Sequence, residues 1–338
     1  MKLHQNQTLF KQAIRATADR LNIPDIYVEK DYWVTYALFL IYENDISKDV
    51  VFKGGTALSK CYNLIERFSE DIDLGILRKV GETNNKLKTK LGEISRVVGV
   101  SLPELEMDGL TNKKGMNRKT AHSYNKEFVG DFGQVRDFIV LESTCLGSSE
   151  PYEYKEIISF VGRMMIENGQ IDMATDNGLM AFQFNVLSPN RTICEKIMSL
   201  VRFSYGVNPM DILSQKVRHI YDLNKILNQE VFLKFFNSKE FDQMLLKVAN
   251  DDVESFKNNN LWLREHPVKA LIFDDLEGCW GYLKPAYISD FGKLVYGELP
   301  NDAEMLGTLK MIKDRLELVS WTINISSISP ISKFPNNR

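Results

Sequence analysis

A Gly-Gly pair directly after a short apolar strand constrains this chain more than any other feature. Residues 49–52 (Asp-Val-Val-Phe) are typical of a buried strand, and Gly54 and Gly55 follow almost at once. Two glycines permit backbone conformations and close approaches that a Cβ forbids. Thr56 comes next, where its side chain is predicted to cap a short helix. Amides at such a turn form a phosphate cradle, although most Gly-Gly pairs are only turns.

Two aspartates follow about fifteen residues later. Asp71 and Asp73 lie two positions apart on a predicted strand, so both carboxylates project from one face while Ile72 and Leu74 face a core. Like charges at this distance repel, and a divalent cation removes that penalty. Mg²⁺ is bound by one or two carboxylates together with substrate phosphates, so the pair predicts a nucleotide site beside the cradle. The plainer interpretation is a solvent-facing strand edge.

The remaining pattern predicts an α+β fold, in which a mixed sheet flanked by helices is followed by a mainly helical part. In the first part, strands are expected at 71–77, 124–129, 137–145 and 180–187, and helices at 8–21, 26–42, 82–98 and 156–167. In the second part, helices are expected at 191–205, 210–227, 231–248 and 303–323. These patterns place the domain boundaries at 1–188 and 189–325, with a flexible tail at 326–338.

Composition narrows the class of protein. With 338 residues, 44% hydrophobic and 26% charged, the chain is long enough for a real core and unlike a disordered or disulfide-stapled protein. Its four cysteines are widely spaced without a C-x-x-C pair, which disfavours a zinc ribbon and indicates a reducing, cytoplasmic location. No run of 18 apolar residues exists, so no membrane partner is expected.

The charge is unevenly distributed. Residues 78–127 carry eleven Lys and Arg against six Asp and Glu, and residues 229–304 carry eight against fourteen. A basic region beside an acidic one is able to steer a polyanion into a cleft, although both are also compatible with ordinary solvated faces. Within the basic region, the predicted loop 112–119 is expected to follow the backbone of a nucleic acid, using Lys113, Lys114, Arg118 and Lys119.

Four motifs in matching order resemble the AbiEii/AbiGii family of toxin nucleotidyltransferases, which includes the MenT toxins of type IV-like toxin–antitoxin and phage-abortive systems. They are residues 28–34 (VEKDYWV), 54–56 with 67–74 (GGT and RFSEDIDL), 185–196 (NVLSPNRTICEK) and 216–223 (KVRHIYDL). One departure is His219, where the family often has Asp.

The resemblance implies a polymerase-β-like nucleotidyltransferase core, with a helical C-terminal part that contributes a lysine and an aspartate to the cleft. It implies Mg²⁺-dependent transfer of NMP from an NTP to an RNA acceptor, with the tRNA 3′ end as the target in some members. The expected outcome is a growth block or aborted phage infection, and the expected partner is a cognate antitoxin.

Carried over by motif, the resemblance also implies roles for individual residues. Asp71 and Asp73 would bind metal, and Lys196 and Asp222 match the family's essential lysine and late aspartate. Ser69 matches a serine that the antitoxin phosphorylates in some members. The nucleotide-binding set is Lys53, Gly54, Gly55, Thr56, Ser69 and Arg218. Such cores usually have a third carboxylate on a neighbouring strand, for which Glu142 is the candidate metal ligand and Asp137 the runner-up.

Helical spacing predicts which face of its helix each candidate residue of the C-terminal part occupies. Arg218 and Asp222 lie four apart, opposite the apolar stripe of their helix, and are expected to face a cleft rather than the core. The alternative is a solvated ion pair. Lys196 lies at the border of an apolar stripe, from which its amine is able to reach a phosphate.

Two other functions remain open. The same core is compatible with nucleotidylation of a protein target, or with formation of a small nucleotide product. A non-catalytic module that binds NTP or an antitoxin is the other alternative, although the intact Asp71–Asp73 pair argues against an inactive core.

Overall fold

The structure is a computed structural model that describes residues 1–69, 71–130, 135–257, 259–323 and 325. Seven strands form one sheet: β1 (Val50–Lys53), β2 (Ile72–Ile76), β3 (Glu104–Leu105), β4 (Asn117–His122), β5 (Ile139–Thr144), β6 (Tyr152–Ile157) and β7 (Phe182–Leu187). The helices before residue 188 are α1 (Gln7–Leu21), α2 (Asp25–Tyr42), α3 (Gly54–Lys60), α4 (Asn84–Gly99), α5 (Phe160–Glu167) and α6 (Ile171–Asp176).

The rest of the described chain is helical. Its helices are α7 (Pro189–Phe203), α8 (Pro209–Ser214), α9 (Val217–Leu227), α10 (Glu230–Phe236), α11 (Lys239–Ser255), α12 (Leu271–Asp274), α13 (Leu276–Ala286) and α14 (Asp302–Glu317). Short 3₁₀ turns occur at Leu3–Gln5, Asp45–Asp49, Leu261–Arg264, Pro267–Lys269 and Gly292–Leu294, and a π-helical segment at Tyr287–Phe291 follows α13. Among the residues described, no helix is both long and apolar enough to cross a membrane.

The sheet is mixed, and its strand order is β3-β4-β5-β2-β1-β7-β6. At its centre β2 pairs antiparallel with β1 and parallel with β5, while β1 pairs parallel with β7. The outer pairs, β3–β4, β4–β5 and β6–β7, are antiparallel. The predicted α+β fold with a mixed sheet and a helical C-terminal part is therefore confirmed.

Two hydrophobic cores organise these elements. In the first, the apolar face of the sheet packs against N-terminal helices, and Ile72 and Leu74 of β2 are buried there as predicted. In the second, α7 and the helices after it pack together, joined by Leu58 and Ile65 from the first half. The division of cores follows the change from mixed to helical structure; the domain boundaries at 188 and 325 remain a prediction, and residues 326–338 lie outside those described.

Some predicted elements are wrong. Residues 124–129 form no strand, because the amides of Glu127 and Phe128 donate to the buried Glu29 carboxylate instead of to a neighbouring strand. The predicted helix at 156–167 begins as the end of β6, and helix starts only after Ser159, which caps α5. The predicted basic loop 112–119 ends inside β4, which starts at Asn117.

Candidate active site

Four charged side chains lie in register across the middle of the sheet. Lys119 on β4 is paired with Glu142 on β5, Glu142 with Asp73 on β2, and Asp73 with Lys53 on β1. In-register neighbours on adjacent strands share a face, so the four side chains form one row. We call it the charged row. It lies on the face opposite Ile72 and Leu74, and its two carboxylates are flanked by lysines.

Asp73 is the member of the charged row with an unbalanced charge. Burial, followed by the negative charges of Asp71 and Glu142, raises its pKa to about 7. The lysines Lys53 and Lys196 act in the opposite direction without cancelling the effect. Within the described part of the chain, the Asp73 carboxylate accepts no hydrogen bond and forms no ion pair.

Gly54 makes room for that carboxylate. A methyl group on Gly54 would lie 2.1 Å from Asp73 Oδ2, and its φ of +81° is a left-handed conformation that favours glycine. The first glycine of the pair is therefore required by close approach to an acidic side chain as well as by the turn. Lys53, Gly54 and Asp73 lie together at the end of β1.

Asp71 lies just before β2 and is paired with a cation. Arg136 Nη1 donates to Asp71 Oδ1 at 2.8 Å. The Asp71 carbonyl oxygen accepts a hydrogen bond of 2.6 Å from the Thr56 hydroxyl, which also lies 3.0 Å from the Ser69 hydroxyl. The predicted capping role of Thr56 is wrong: the N-cap of α3 is Lys53, without a side-chain cap, and Thr56 instead ties α3 to the segment that carries Asp71.

Gly55 lies beside a buried ion network that includes Asp222 from the motif at residues 216–223. Arg67 donates to both Asp222 oxygens, at 2.7 and 2.8 Å, and Lys196 Nζ donates to Asp222 Oδ2 at 2.7 Å. A methyl group on Gly55 would lie 2.5 Å from Arg67 Nη2, so the second glycine admits this arginine. Burial alone would raise the pKa of Asp222, but the two adjacent cations hold it well below its usual range.

The expectation that Arg218 and Asp222 share an open face is therefore wrong. Asp222 is fully buried against Arg67 and Lys196, and Arg218 alone is exposed. Helical spacing gave no indication of this, because the partner that buries Asp222 is 155 residues away in sequence. Lys196 is buried as well, and is close enough to lower the pKa of Asp73 by its charge.

His219, the departure from the family pattern, lies beside this network. Burial, and then the charge of Lys196, lower its pKa well below the usual range, so the ring is neutral at pH 7. Its Nδ1 atom is buried without a hydrogen-bond partner among the described residues.

A cleft of about 420 Å³ opens between the sheet and the helical part, next to Asp71. The sheet side contributes Arg67, Phe68, Ser69, Asp71, Val135 and Arg136. The helical side contributes Ser214, Gln215, Val217 and Arg218, together with Ala286, Asp290, Phe291 and Leu294. The cleft thus brings Ser69, Asp71 and Arg218 of the predicted site to one cavity, and adds Arg136, which the sequence did not single out.

Several predicted residues do not line this cleft. Lys53 Nζ forms an ion pair of 3.0 Å with Glu195, and Lys119 Nζ one of 3.1 Å with Glu142. The runner-up Asp137 precedes β5 and pairs with Lys126 on an exposed surface, whereas Glu142 lies beside Asp73. The position of Glu142 therefore favours it over Asp137 as the third carboxylate.

Two of the four predicted cations of the basic loop are paired with acidic side chains. Lys113 is paired with Glu104 at 2.5 Å, Arg118 Nε donates to Ser95 Oγ at 2.7 Å, and Lys119 belongs to the charged row. Only Lys114 of the four predicted cations is both exposed and without an ion pair among the described residues. This loop therefore offers less positive charge to a nucleic acid than its composition suggests.

The structural role of three consecutive charged residues on the buried helix α2 is not evident from the sequence. Glu29 accepts hydrogen bonds from the amides of residues 127 and 128, and Lys30 Nζ donates to the carbonyl oxygens of Arg136 and Phe138. Asp31 binds Lys60 of α3 and the first amide of α5. Together they tie α3, α5 and both ends of the β4–β5 connection to one helix. Three charged residues within a largely apolar helical segment indicate that this helix makes buried polar contacts.

The donor set agrees with a magnesium ion bound jointly with substrate. Among the residues that the structure describes, no three His, Cys, Asp or Glu side chains converge to enclose a metal by themselves. Mg²⁺ needs no such cage, since it retains waters and binds through one or two carboxylates and substrate phosphates. The raised pKa of Asp73, which has no donor of its own, indicates a place where a cation would relieve repulsion.

Comparisons with known proteins identify the family. The model of the nucleotidyl transferase AbiEii toxin, type IV toxin–antitoxin system, matches residues 37–277. No curated protein sequence matches the chain. Seven solved chains match, among them MenT4, a nucleotidyltransferase toxin from Mycobacterium tuberculosis H37Rv, with 17% identity and a TM-score of 0.55 over 91% of this chain and 90% of that one. That identity supports a common fold only. Because the family model covers most of the sequence, the chain belongs to the AbiEii family of nucleotidyltransferase toxins of type IV toxin–antitoxin systems.

Proposed function

We propose that this toxin transfers NMP from an NTP to the 3′ hydroxyl of an RNA, with tRNA as the acceptor, in a magnesium-dependent reaction. The charged row carries the proposal, because it brings Asp73 and Glu142 together beside the Gly54 turn, with Asp71 at the mouth of a cleft. Asp71 and Asp73 would bind Mg²⁺ with Glu142 next to them. When bound, the ion would neutralise the triphosphate and polarise the α-phosphate.

The chain's own residues supply position and charge. The amides of Gly54, Gly55 and Thr56 lie in the first turn of α3 and would donate to a phosphate of the NTP. Lys53 and Lys196 lie near Asp73 and add positive charge on the side where a triphosphate would bind. The 3′ oxygen bonds to the α-phosphorus as the bond to pyrophosphate breaks, and the proton of the hydroxyl is released to solvent. Catalysis therefore consists of alignment and charge neutralisation.

Asp222 acts as a positioning residue in this proposal. Its carboxylate is fully buried and is occupied by Arg67 and Lys196, so it holds two cations in place and does not itself reach substrate. Arg218 and Ser69, which line the cleft, are assigned to the nucleotide. The active toxin would act in the cytoplasm and arrest growth of the cell. This arrest would provide phage defence, and the antitoxin would relieve it.

The test supplies each radiolabelled NTP with Mg²⁺ to purified tRNA, to total protein and to buffer alone. We expect label in tRNA with the wild-type chain and none with Asp71→Asn or Asp73→Asn. Asp45→Asn is the matched control, because Asp45 is exposed and pairs only with Lys48. Label in protein, or in a small product, would replace RNA as the acceptor. Labelling of tRNA that survives Asp71→Asn would refute the site.

A further inference from the structure

Asp290 is a cleft residue to which the proposed reaction assigns no role. It lines the cavity from the helical part, and its carboxylate forms no hydrogen bond or ion pair with any described residue. We propose that Asp290 selects the base of the NTP: it accepts a hydrogen bond from the amino group of adenine, cytosine or guanine and disfavours uracil, which has none. This inference rests on the proposed function and concerns which nucleotide the site takes.

The charges that line the cleft give a bound nucleotide its direction. Asp71 would bring a metal ion to its part of the cavity, and a metal ion attracts a triphosphate. An unpaired carboxylate repels phosphates, so Asp290 disfavours them in its own part of the cavity. The uncharged base is therefore the portion of the NTP expected next to Asp290, with the phosphates next to Asp71.

The backbone joins the segment that carries Asp290 to the chain just before Asp71. The amide of Phe68 donates to the carbonyl oxygen of Leu294 at 2.7 Å. Phe68 and Asp71 are three positions apart, a separation that an extended chain spans in at most about 11 Å. The cavity that both residues line has a volume of about 420 Å³. Small-molecule sites have volumes of roughly 300–1,000 Å³, so one nucleotide is able to extend from Asp71 to Asp290.

Apolar side chains line the cleft around Asp290. Phe291 and Leu294 belong to the same segment, and Phe68 is joined to Leu294 by the backbone hydrogen bond. The ring of Phe68 is stacked on that of Tyr27, with 4.5 Å between the ring centroids. A base binds through contact of its faces with aromatic and aliphatic side chains, and a small number of polar groups recognise its edge. The surroundings of Asp290 therefore suit a base.

Buried rings fix the backbone that carries Asp290. This residue belongs to the π-helical segment Tyr287–Phe291, and such short segments are frequent at functional sites. Tyr287 and Phe291 are buried, and their rings are stacked with centroids 5.6 Å apart. The Tyr287 hydroxyl donates to the carbonyl oxygen of Pro300 at 2.7 Å. A carboxylate on a fixed backbone is able to discriminate between ligands, because it does not move to suit each one.

A carboxylate discriminates between bases because it accepts hydrogen bonds and does not donate them. Adenine and cytosine present an amino group on the base-pairing edge, and guanine presents one beside a ring N–H. Uracil presents one ring N–H between two carbonyl oxygens, so the second carboxylate oxygen would face a carbonyl. A hydrogen bond to a charged group is worth about 10- to 100-fold in affinity. The preferred amino-bearing nucleotide should therefore bind about 10- to 100-fold more tightly than the uridine nucleotide.

The experiment measures ratios between nucleotides. Binding of each of the four α,β-methylene NTP analogues, with Mg²⁺ present, is followed by calorimetry on the full chain, and kcat/KM for transfer to tRNA is measured with each NTP. All four ligands carry the same triphosphate, so a change in charge that acts on the phosphates shifts the four affinities by one factor. The ratio between two analogues reports contact with the base.

The variants are Asp290→Asn and Asp290→Ala, with Glu298→Gln as control. Asp290 is exposed, so both substitutions should leave the fold intact. Glu298 is also exposed, lies eight positions later and does not line the cleft, so its variant removes the same charge without touching the base.

Base selection predicts a distinct result for each variant. Asp290→Asn replaces one acceptor by a donor that matches a uracil carbonyl, so the preference over the uridine analogue should fall by about 10-fold or more. Asp290→Ala removes the contact and should bring the ratio close to one. Glu298→Gln should keep the wild-type ratio, and kcat/KM should follow the same order as binding.

The outcomes separate the inference from the proposed function. If the wild-type chain binds the uridine analogue as tightly as the others, or if both Asp290 variants keep the wild-type ratios, base selection is wrong while the proposed function stands. A common factor in all four affinities would show that Asp290 acts on the phosphates alone, which also refutes it. Binding without labelling of tRNA would count against the proposed transfer, and the binding ratios would still decide the role of Asp290. If no analogue binds and no NTP is transferred, both fail together.

Discussion

Asp73→Asn should stabilise the metal-free protein while it abolishes activity. The pKa of the Asp73 carboxyl is raised from an ordinary value of 3.8 to about 7. The folded protein therefore binds this proton more tightly than the unfolded chain does. The contribution of Asp73 to stability is fully present below pH 3.8, is lost as the pH rises, and is absent above 7.

The magnitude follows from the shift. Three pKa units correspond to about 4 kcal/mol, at about 1.4 kcal/mol per unit. At pH 5 less than half of this penalty, about 2 kcal/mol, is present, since the pH lies little more than one unit above the unfolded pKa. Asparagine has a similar shape and no charge. The gain in unfolding free energy of Asp73→Asn over the wild type should therefore increase by about 2–3 kcal/mol between pH 5 and pH 8.

Urea unfolding in EDTA at the two pH values measures this difference. Asp45→Asn serves as control, because Asp45 is exposed and its ion pair is with the exposed Lys48, which is not part of the charged row. Adding MgCl₂ at pH 8 should then stabilise the wild type more than Asp73→Asn, because a ligand stabilises the state that binds it. A gain that stays constant or shrinks from pH 5 to pH 8 would show that Asp73 carries no unbalanced charge.

Three further predictions concern the supports of the site. Asp222→Ala leaves two buried cations without their anion and should lower the unfolding free energy in urea by about 3–5 kcal/mol; a loss below about 1 kcal/mol would contradict the ion network. Gly54→Ala should abolish NMP transfer with the far-ultraviolet circular dichroism retained, because its methyl group meets the Asp73 carboxylate. Gly81→Ala is its control, with φ of +78° but nothing within 4 Å, so it should share the strain of about 1–2 kcal/mol and keep activity. Lys30→Met should lower the unfolding free energy by about 1–3 kcal/mol, because the carbonyl oxygens of Arg136 and Phe138 lose their donor. Because Arg136 lines the cleft, the variant should also bind a non-hydrolysable NTP analogue more weakly in calorimetry, and unchanged affinity would show that Lys30 does not support the site.

The parts of the site that were predictable from sequence are local. The strand, the two glycines and the short helix after them follow one another within about twelve residues, and turn and propensity rules act on that scale. The alternation that places Asp73 opposite Ile72 and Leu74 is equally local, because side chains on a strand alternate between faces. The family resemblance implies a third carboxylate on a neighbouring strand, and the register of β2 with β5 places Glu142 next to Asp73.

The parts that were missed depend on contacts distant in sequence. The sequence around Lys119 predicts a loop, and only the pairing of β4 with β5 brings this lysine to Glu142. Helical periodicity predicts an open face for Asp222, because it describes one helix and carries no information about what packs against it. Arg136 gave no local signal, since its position depends on Lys30, 106 residues earlier in the chain.

The buried charges of this protein are better explained by the site than by stability. Lys30, Arg67, Lys196 and Asp222 are each less than a tenth exposed, and each is matched by an opposite charge or by carbonyl oxygens. Apolar residues of similar volume often serve stability as well as a buried ion pair does, so stability alone gives no reason for these charges. Each of them instead fixes a segment that borders the cleft or the charged row. Asp73 differs from these four, because burial and the charges of Asp71 and Glu142 raise its pKa and it forms no ion pair among the described residues. Its repulsion with those two carboxylates is the feature that a cation arriving with the substrate would relieve.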